Sequence, residues 1–266
     1  MAGGADHVTV DGLLLDMDGV LTVSRRPVPG AVEAVARLRA AGLPLRVLTS
    51  TTSHTRAEIG AALRVAGFAL EDRDILTAAG AAADHLRAHH PGARVFCLGD
   101  GRAEDLEGVD LVGLGDEPDV ILVSGADASF AFDTLNRVYR RLLAGAALVA
   151  MHRNLSWMTD DGPCLDAGAY LLGLERALGR RAAVSGKPAP DLFEAALRGL
   201  GLAAARVAMV GDDLDNDVVA AQTLGITGIL VRTGKYREEL VRAAATPPDR
   251  VIDSVADLPG LLTVGS

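Results

Sequence analysis

The sequence predicts a doubly wound, mainly parallel α/β fold that carries an inserted second α/β domain. Two short apolar runs, Leu13–Leu15 and Val207–Val210, predict the parallel sheet, because each ends in turn residues. Such runs are typical of strands covered by helices on both faces. A third observation predicts the insertion. The chain has 266 residues, and the interval between Thr49 and Lys187 is far longer than one crossover helix requires.

Two carboxylates, Asp16 and Asp18, follow the first apolar run. Ligands of parallel sheets bind at the carboxyl ends of the strands. An unpaired buried carboxylate is costly, and a metal cation would offset that cost. The alternative is a strand followed by an ordinary acidic turn.

A second strand, Leu45–Thr49, ends in hydroxyl residues that suit a phosphate group. Thr49 is the better ligand candidate. Thr51–Ser53 are predicted to cap the helix expected over Thr55–Val65, with Ser53 or Thr52 as the N-cap.

Two further segments complete the candidate site. Lys187 lies in a loop before the helix predicted over Asp191–Leu200, where it either neutralises an anionic substrate or is simply solvated. The strand Val207–Gly211 ends in Asp212, which is placed as a metal ligand would be. An acidic helix start is the alternative there, and it fits Asp213 and Asp215 better.

Together these residues predict a site for a hard divalent cation and a phosphoryl group, and ligation by oxygen alone indicates Mg²⁺. Their order and spacing resemble the four motifs of the haloacid dehalogenase superfamily, over nearly the whole chain. The segment Gly211–Tyr236 resembles the NagD-like capped branch that contains phospholysine phosphohistidine inorganic pyrophosphate phosphatase. The residues that carry the resemblance are Asp16, Asp18, Thr49, Lys187, Asp212 and Asp217.

The resemblance implies a Rossmann-like core and a role for each residue. Asp16 is implied to be the nucleophile that forms an aspartyl phosphate and to bind the metal. Asp18 is implied to be the acid and base, with its backbone carbonyl on Mg²⁺. Asp212 is implied to be another metal ligand. Either Asp213 or Asp217 is the outer acid that holds water at the metal or orients the lysine, and the sequence does not decide between them.

The remaining motif residues are implied to hold the phosphate. Thr49 and the Ser50 amide contact its oxygens, and Lys187 offsets charge. Many relatives in this branch carry asparagine where this chain has Ser50. Dehalogenases of the superfamily lack an acid at the position of Asp18, so its presence favours a phosphatase.

The predicted core comprises residues 1–78 and 185–266, and the predicted inserted domain comprises residues 79–184. The resemblance implies that the insertion is a cap that closes over the site, excludes water and selects the substrate. A homodimer formed through the cap is also predicted. Within the cap we predict strands at Arg94–Leu98, Val120–Val123 and Ala147–Ala150, and helices at Gly80–Ala88, Phe132–Leu143 and Ala169–Leu178.

Several other signals are weaker. The loop Met151–Trp157 is the best candidate for substrate contact, and His152 with Arg153 either meets an anionic group or forms a surface basic pair. The histidines at 85, 89 and 90 have helical spacing, but no carboxylate or cysteine pattern completes a metal site, so they are predicted to be surface residues near a helix end.

Composition excludes other classes of protein. The net charge of −9 argues against a nucleic-acid surface. Cys97, predicted on a strand, and Cys164, predicted in a loop, form no disulfide framework. Residues 1–10 lack the pattern of a signal peptide, and no apolar stretch is long enough to span a bilayer, so we expect a cytoplasmic protein.

The predicted function is magnesium-dependent hydrolysis of small phosphorylated metabolites. Two alternatives stay open. One is a phospho-acceptor signalling protein, although receiver domains are shorter and lack a cap. The other is a catalytically silent binding protein of the same fold, which would not need the complete set of acids, lysine and metal ligands.

Overall fold

The structure is a computed structural model that describes residues 7–24, 26–159 and 162–264. Residues 1–6 of the amino-terminal segment considered above therefore lie outside the described residues. The described strands are β1 (Val8–Val10), β2 (Gly12–Asp16), β3 (Thr22–Val23), β4 (Arg26–Pro27), β5 (Leu45–Thr49), β6 (Ile75–Thr77), β7 (Arg94–Leu98), β8 (Asp110–Leu111), β9 (Val120–Val123), β10 (Ala147–Ala150), β11 (Ser156–Thr159), β12 (Gly162–Leu165), β13 (Ala183–Val184), β14 (Val207–Gly211), β15 (Thr227–Val231), β16 (Arg250–Ile252) and β17 (Leu262–Val264).

The described α-helices are α1 (Ala31–Ala40), α2 (Arg56–Val65), α3 (Ala78–His89), α4 (Phe132–Leu143), α5 (Ala167–Leu178), α6 (Pro190–Leu200), α7 (Ala220–Thr223), α8 (Glu238–Ala243) and α9 (Leu258–Leu261). A π-helical turn, Leu214–Val219, leads directly into α7. Among the described residues, no helix combines the length and apolar composition that crossing a bilayer requires.

These elements pack into two compact units. The first consists of the described residues of Met1–Thr49, Ala57–Leu76 and Phe193–Ser266, and the second consists of Ser50–Arg56 and the described residues of Thr77–Leu192. The domain bounds predicted from the sequence, and the function of the insertion as a cap, stay predictions.

The first unit is built on a six-stranded sheet with the order β16-β15-β14-β2-β5-β6. The pairs from β16 to β5 are parallel, with Leu14 of β2 opposite Met209 of β14. All five residues of β2 and all five of β14 are buried. This burial explains why both strands are continuous apolar runs. The predicted mainly parallel α/β fold is confirmed.

One face of this sheet packs against helix α1. Leu13 and Leu15 belong to the same buried cluster as Val35 and Leu38 of that helix. Successive residues of a strand point to opposite faces, so Leu14, which is also fully buried, serves the other face. The central strand is therefore held from both sides, and its carboxyl end is fixed.

The second unit is built on a five-stranded sheet with the order β13-β10-β9-β7-β8, and every neighbouring pair is parallel. Strand β9 shows how it is packed. Val120 and Leu122 lie in a cluster with helix α3, whereas Ile121 and Val123 lie in a cluster with α4 and α5.

The prediction for this second unit was correct for three strands and one helix, since β7, β9, β10 and α4 have the predicted bounds. The hairpin of β11 and β12 was not predicted from the sequence. As a consequence, Cys164 lies on strand β12, and the prediction that it occupies a loop is wrong.

The loop before that hairpin also differs from the expectation. His152 is buried, with its Nδ1 at 3.9 Å from a carboxylate oxygen of Asp166. Arg153 donates from both terminal nitrogens to the two carboxylate oxygens of Glu175, with Nη1 at 2.8 Å from Oε1. The interpretation of His152 and Arg153 as a surface basic pair is therefore wrong, because His152 is buried and Arg153 forms a partly buried ion pair within its own unit.

The predicted cap of helix α2 is also different. The Thr52 hydroxyl donates to Asp100 at 2.7 Å and accepts from the Gly125 amide at 3.2 Å. The first amide of the helix, that of Arg56, instead donates to Asp105 at 2.9 Å. The carboxylate that satisfies this amide comes from a distant segment, which local sequence patterns do not reveal.

We expect Glu175→Ala to lower the free energy of unfolding by about 3 kcal/mol, because it leaves Arg153 without its carboxylate in a partly buried place. It also removes the acceptor of the Ala182 amide. Urea unfolding followed by circular dichroism measures the change. The control is Glu238→Ala, which removes an exposed partner of Arg242 and should cost about 0.5 kcal/mol or less.

The same ion pair gives the stability a pH dependence. Burial alone would raise the pKa of Glu175, but the hydrogen bonds and charge of Arg153, with the Ala182 amide, lower it below the usual value. This contribution is therefore fully present above the unfolded pKa of about 4.3 and is lost as the pH falls through the folded pKa. An equal cost of the two substitutions, or a cost of Glu175→Ala that does not shrink in acid, would contradict this assignment.

Candidate active site

Three buried carboxylates come together in the first unit. Asp16 is the last residue of β2, Asp212 directly follows β14, and Asp217 lies in the π-helical turn. They are 5%, 3% and 1% exposed, respectively. One carboxylate oxygen from each lies within 4.8 Å of the other two. We call these three residues the carboxylate cluster.

The sheet register brings the first two members together. Strands β2 and β14 are parallel neighbours, and Leu15 lies opposite Val210. The residues that follow this pair, Asp16 and Gly211, therefore reach the same carboxyl edge of the sheet, where ligands of such sheets bind. Asp212 comes one residue later.

The third member is placed by the wide helical turn after β14. The Asp213 carbonyl accepts from the amides of both Asp217 and Val218, at 3.1 and 3.4 Å. A Cβ atom on Gly211 would lie 2.2 Å from the Cβ of Asp217, so this close approach requires glycine. Such π turns are frequent at functional sites.

Two glycines surround the Asp212 carboxylate. A Cβ atom on Gly19 would lie 2.0 Å from its Oδ2, and one on Gly234 would lie 1.9 Å from the same atom. Both glycines have positive φ angles, +92° and +61°. The Lys235 amide donates to this oxygen at 2.7 Å, and the Thr233 hydroxyl donates to the Gly19 carbonyl.

The residues 233–235 were not among the predicted site residues. Their signal in the sequence is their place within the segment Gly211–Tyr236, which carried the family resemblance.

Asp213 has different surroundings from its neighbour Asp212. Its carboxylate accepts from the Asn216 amide at 3.1 Å and lies 3.3 Å from the Lys235 ammonium. Burial would raise the pKa of Asp213, but the Lys235 charge and the hydrogen bonds from Asn216 outweigh burial and lower it. Asp213 therefore stays ionised and paired, whereas Asp217 joins the cluster.

The two remaining predicted residues of the first unit also lie near strand ends. Asp18 has an exposed side chain in the turn after β2, where the Gly19 amide donates to the Thr22 carbonyl at 2.7 Å. Thr49 is the last residue of β5, the parallel neighbour of β2, and is 1% exposed.

Ser50 and Lys187 belong to the second unit. Lys187 follows strand β13, in a loop anchored where the Gly186 amide donates to the Met151 carbonyl at 3.0 Å. Its side chain is buried, with 5% of the residue exposed, so the alternative of a solvated surface lysine is wrong. The roles of Ser50 and Lys187 toward a phosphate stay predictions.

The carboxylate cluster fits a hard divalent cation. Buried carboxylates at this spacing repel one another, and a cation is the usual way in which proteins offset such repulsion. An all-oxygen donor set suits Mg²⁺ rather than a softer transition metal. Gly19 and Gly234, which we call the glycine cradle, lie against the Asp212 carboxylate on two sides. They hold this donor in place, whereas the side chain of a surface acid can change rotamer.

We expect Gly234→Ala to weaken Mg²⁺ binding by about tenfold or more, because its Cβ would displace the Asp212 carboxylate. Isothermal titration calorimetry measures the affinity. Gly225→Ala is the matched control, since Gly225 also has a positive φ, +79°, but a Cβ there meets nothing within 4 Å. Equal affinities of the two variants would show that the cradle does not position Asp212.

Comparisons with known proteins are consistent with this geometry. A family model described as haloacid dehalogenase-like hydrolase matches residues 13–113, and a model described as HAD-hydrolase-like matches residues 184–258. The human haloacid dehalogenase-like hydrolase domain-containing protein 2 is 35% identical, over 89% of both chains. Human phospholysine phosphohistidine inorganic pyrophosphate phosphatase is 32% identical, over 95% of this chain and 94% of its own.

Solved structures extend the similarity to the fold. The p-nitrophenyl phosphatase from Archaeoglobus fulgidus superposes with a TM-score of 0.88 at 30% identity, covering 96% of this chain and 100% of its own. The glycerol phosphate phosphatase from Mycobacterium tuberculosis, solved in complex with magnesium, has a TM-score of 0.83 at 28% identity, covering 94% of this chain and 77% of its own. With the motifs, the sheet and the carboxylate cluster, these matches establish that the chain belongs to the haloacid dehalogenase-like hydrolase family.

Proposed function

We propose that this hydrolase is a magnesium-dependent phosphatase that cleaves small phosphorylated metabolites through an aspartyl phosphate on Asp16. The observation that carries the proposal is the carboxylate cluster at the carboxyl edge of the sheet. Relatives that are named phosphatases support the reaction type.

Magnesium is supported by the donor set and by one relative. The cluster offers only oxygen donors, and the related glycerol phosphate phosphatase was solved with magnesium. When bound, the ion would offset negative charge on the carboxylates and on the phosphoryl group. Asp16, Asp212 and Asp217 are the side chains that would hold it, together with the Asp18 carbonyl that the family resemblance implies.

In the first step, a carboxylate oxygen of Asp16 attacks the phosphorus atom. An O–P bond forms to Asp16, and the bond between phosphorus and the leaving-group oxygen breaks. The leaving oxygen takes a proton from the carboxyl group of Asp18, whose side chain is exposed and which follows Asp16 by two residues in the chain.

In the second step, a water molecule attacks the same phosphorus atom. Asp18, now a carboxylate, accepts the water proton, and the bond between Asp16 and phosphorus breaks. Inorganic phosphate leaves, and both aspartates return to their starting protonation states. The nucleophile Asp16 must therefore start ionised, whereas Asp18 must start protonated and then acts first as the acid and next as the base.

The phosphate itself is proposed to be held by Thr49 and the Ser50 amide, with Lys187 offsetting its charge. Phosphoryl transfer depends mainly on such positioning and electrostatic stabilisation. A lysine that is buried rather than solvated is suited to this task, because its charge is less screened by water.

A cytoplasmic location and a homodimer belong to the same proposal. The two cysteines, Cys97 and Cys164, are both free thiols, which suits a reducing compartment. Burial raises the pKa of Cys97 to about 11, so this thiol is not a nucleophile at neutral pH.

We expect Asp16→Asn to reduce phosphate release by at least about a thousandfold, because an amide cannot form the acyl phosphate. The measurement is phosphate release from an aryl phosphate and a panel of phosphorylated metabolites, with and without Mg²⁺. Asp215→Asn is the control, since Asp215 is an exposed acid in the π-helical turn that also contains Asp217.

The outcomes separate the three functions. Mg²⁺-dependent turnover that is lost only in Asp16→Asn supports the phosphatase. One equivalent of product without turnover supports a phospho-acceptor protein, and no release by the wild-type protein on any substrate supports a silent binding protein.

We expect Asp217→Asn to raise the Mg²⁺ concentration for half-maximal activity by about tenfold or more, and Asp213→Asn to raise it less. Asp217 belongs to the cluster, whereas Asp213 is paired with Lys235 and Asn216. Mg²⁺ titrations of activity test the order. The opposite order would identify Asp213 as the acid that acts on the metal.

A further inference from the structure

A second group of metal-binding side chains lies within the second unit. His85 and His89 are one turn apart on α3, and Asp191 lies in the first turn of α6. The expectation that no carboxylate completes a metal site with these histidines is wrong, because Asp191 contacts His85. Asp191 is more than a hundred residues away in sequence, so local spacing does not reveal it.

The side chains of His85, His89 and Asp191 lie close together. The Nδ1 atom of His85 lies 2.9 Å from a carboxylate oxygen of Asp191. The rings of His85 and His89 have centroids 4.5 Å apart. One ligand atom from each of the three residues lies within 4.8 Å of the others. His90, at the end of α3, has its ring centroid 6.2 Å from that of His85.

These distances suit a borderline transition metal. Zinc–nitrogen bonds of about 2.0–2.1 Å in a tetrahedral site place neighbouring ligand atoms about 3.3 Å apart. The hydrogen-bonded pair is already near that separation. His89 is exposed, so its ring can rotate the remaining distance without disturbing a core.

The surroundings also favour a cation. His89 and His90 are at the carboxyl end of α3, where the helix dipole is negative. A cation bound there would therefore be favoured by the helix dipole as well as by its ligand atoms.

We propose that His85, His89 and Asp191 form a Zn²⁺ site that joins the end of α3 to the start of α6. Two nitrogen donors and one oxygen donor distinguish it from the all-oxygen carboxylate cluster. Three protein ligands leave room for water or for His90 as a fourth ligand. The site is independent of the proposed phosphatase reaction.

The test is a Zn²⁺ titration of the full chain by isothermal titration calorimetry in excess Mg²⁺. We expect His89→Ala and Asp191→Asn each to weaken one Zn²⁺-binding event by about tenfold or more. All variants retain the carboxylate cluster, so Zn²⁺ bound there is common to every titration. His7→Ala removes an exposed histidine outside the group and serves as the control.

A second readout is thermal stability. An ion that binds only the folded state raises the melting temperature, so Zn²⁺ should stabilise the wild-type and His7→Ala proteins more than the two site variants. Both substituted side chains are at least partly exposed, so the variants should fold. The proposal is overturned if all four proteins bind Zn²⁺ alike, or if His7→Ala loses the same binding as the site variants.

Discussion

Mutual repulsion among Asp16, Asp212 and Asp217 is the constraint around which the first unit is arranged. Three buried carboxylates with oxygens within 4.8 Å of one another would be avoided in a fold selected for stability alone. Two of them are delivered by the rigid backbones of parallel strands that are buried on both faces. The sheet therefore supplies the stability that allows this charge density, and the cation that we propose at the cluster would lower its cost.

The backbone around the cluster approaches the carboxylates closely and donates a hydrogen bond to one of them. Gly19 and Gly234 bring backbone against the Asp212 carboxylate, and the Lys235 amide donates to it. Asp213 has a different environment, in which Lys235 and Asn216 both contact the carboxylate. Neighbouring aspartates in one loop thus have separate tasks because different segments pack against them.

The second unit shows how tertiary contacts change the meaning of a polar motif. Arg153 was expected to meet a ligand or water but is held by Glu175, and Thr52 was expected to cap a helix but binds Asp100. His85 was expected to be a surface residue but acquires Asp191 as a partner. In each case the partner is distant in sequence, so local pattern had no means of indicating it.

The sequence by itself determined the family, the parallel sheet and most of the candidate chemistry. Apolar runs that end in Asp16 or Gly211 predict buried strands, and strand ends in a parallel sheet share one edge, so these runs place both residues at that edge. Only the tertiary structure decided between Asp213 and Asp217 as the acid that joins the cluster. That choice depends on a wide helical turn and on Lys235, a residue from another loop. The partners of a side chain depend on three-dimensional packing, whereas the burial of a strand can be predicted from its apolar residues.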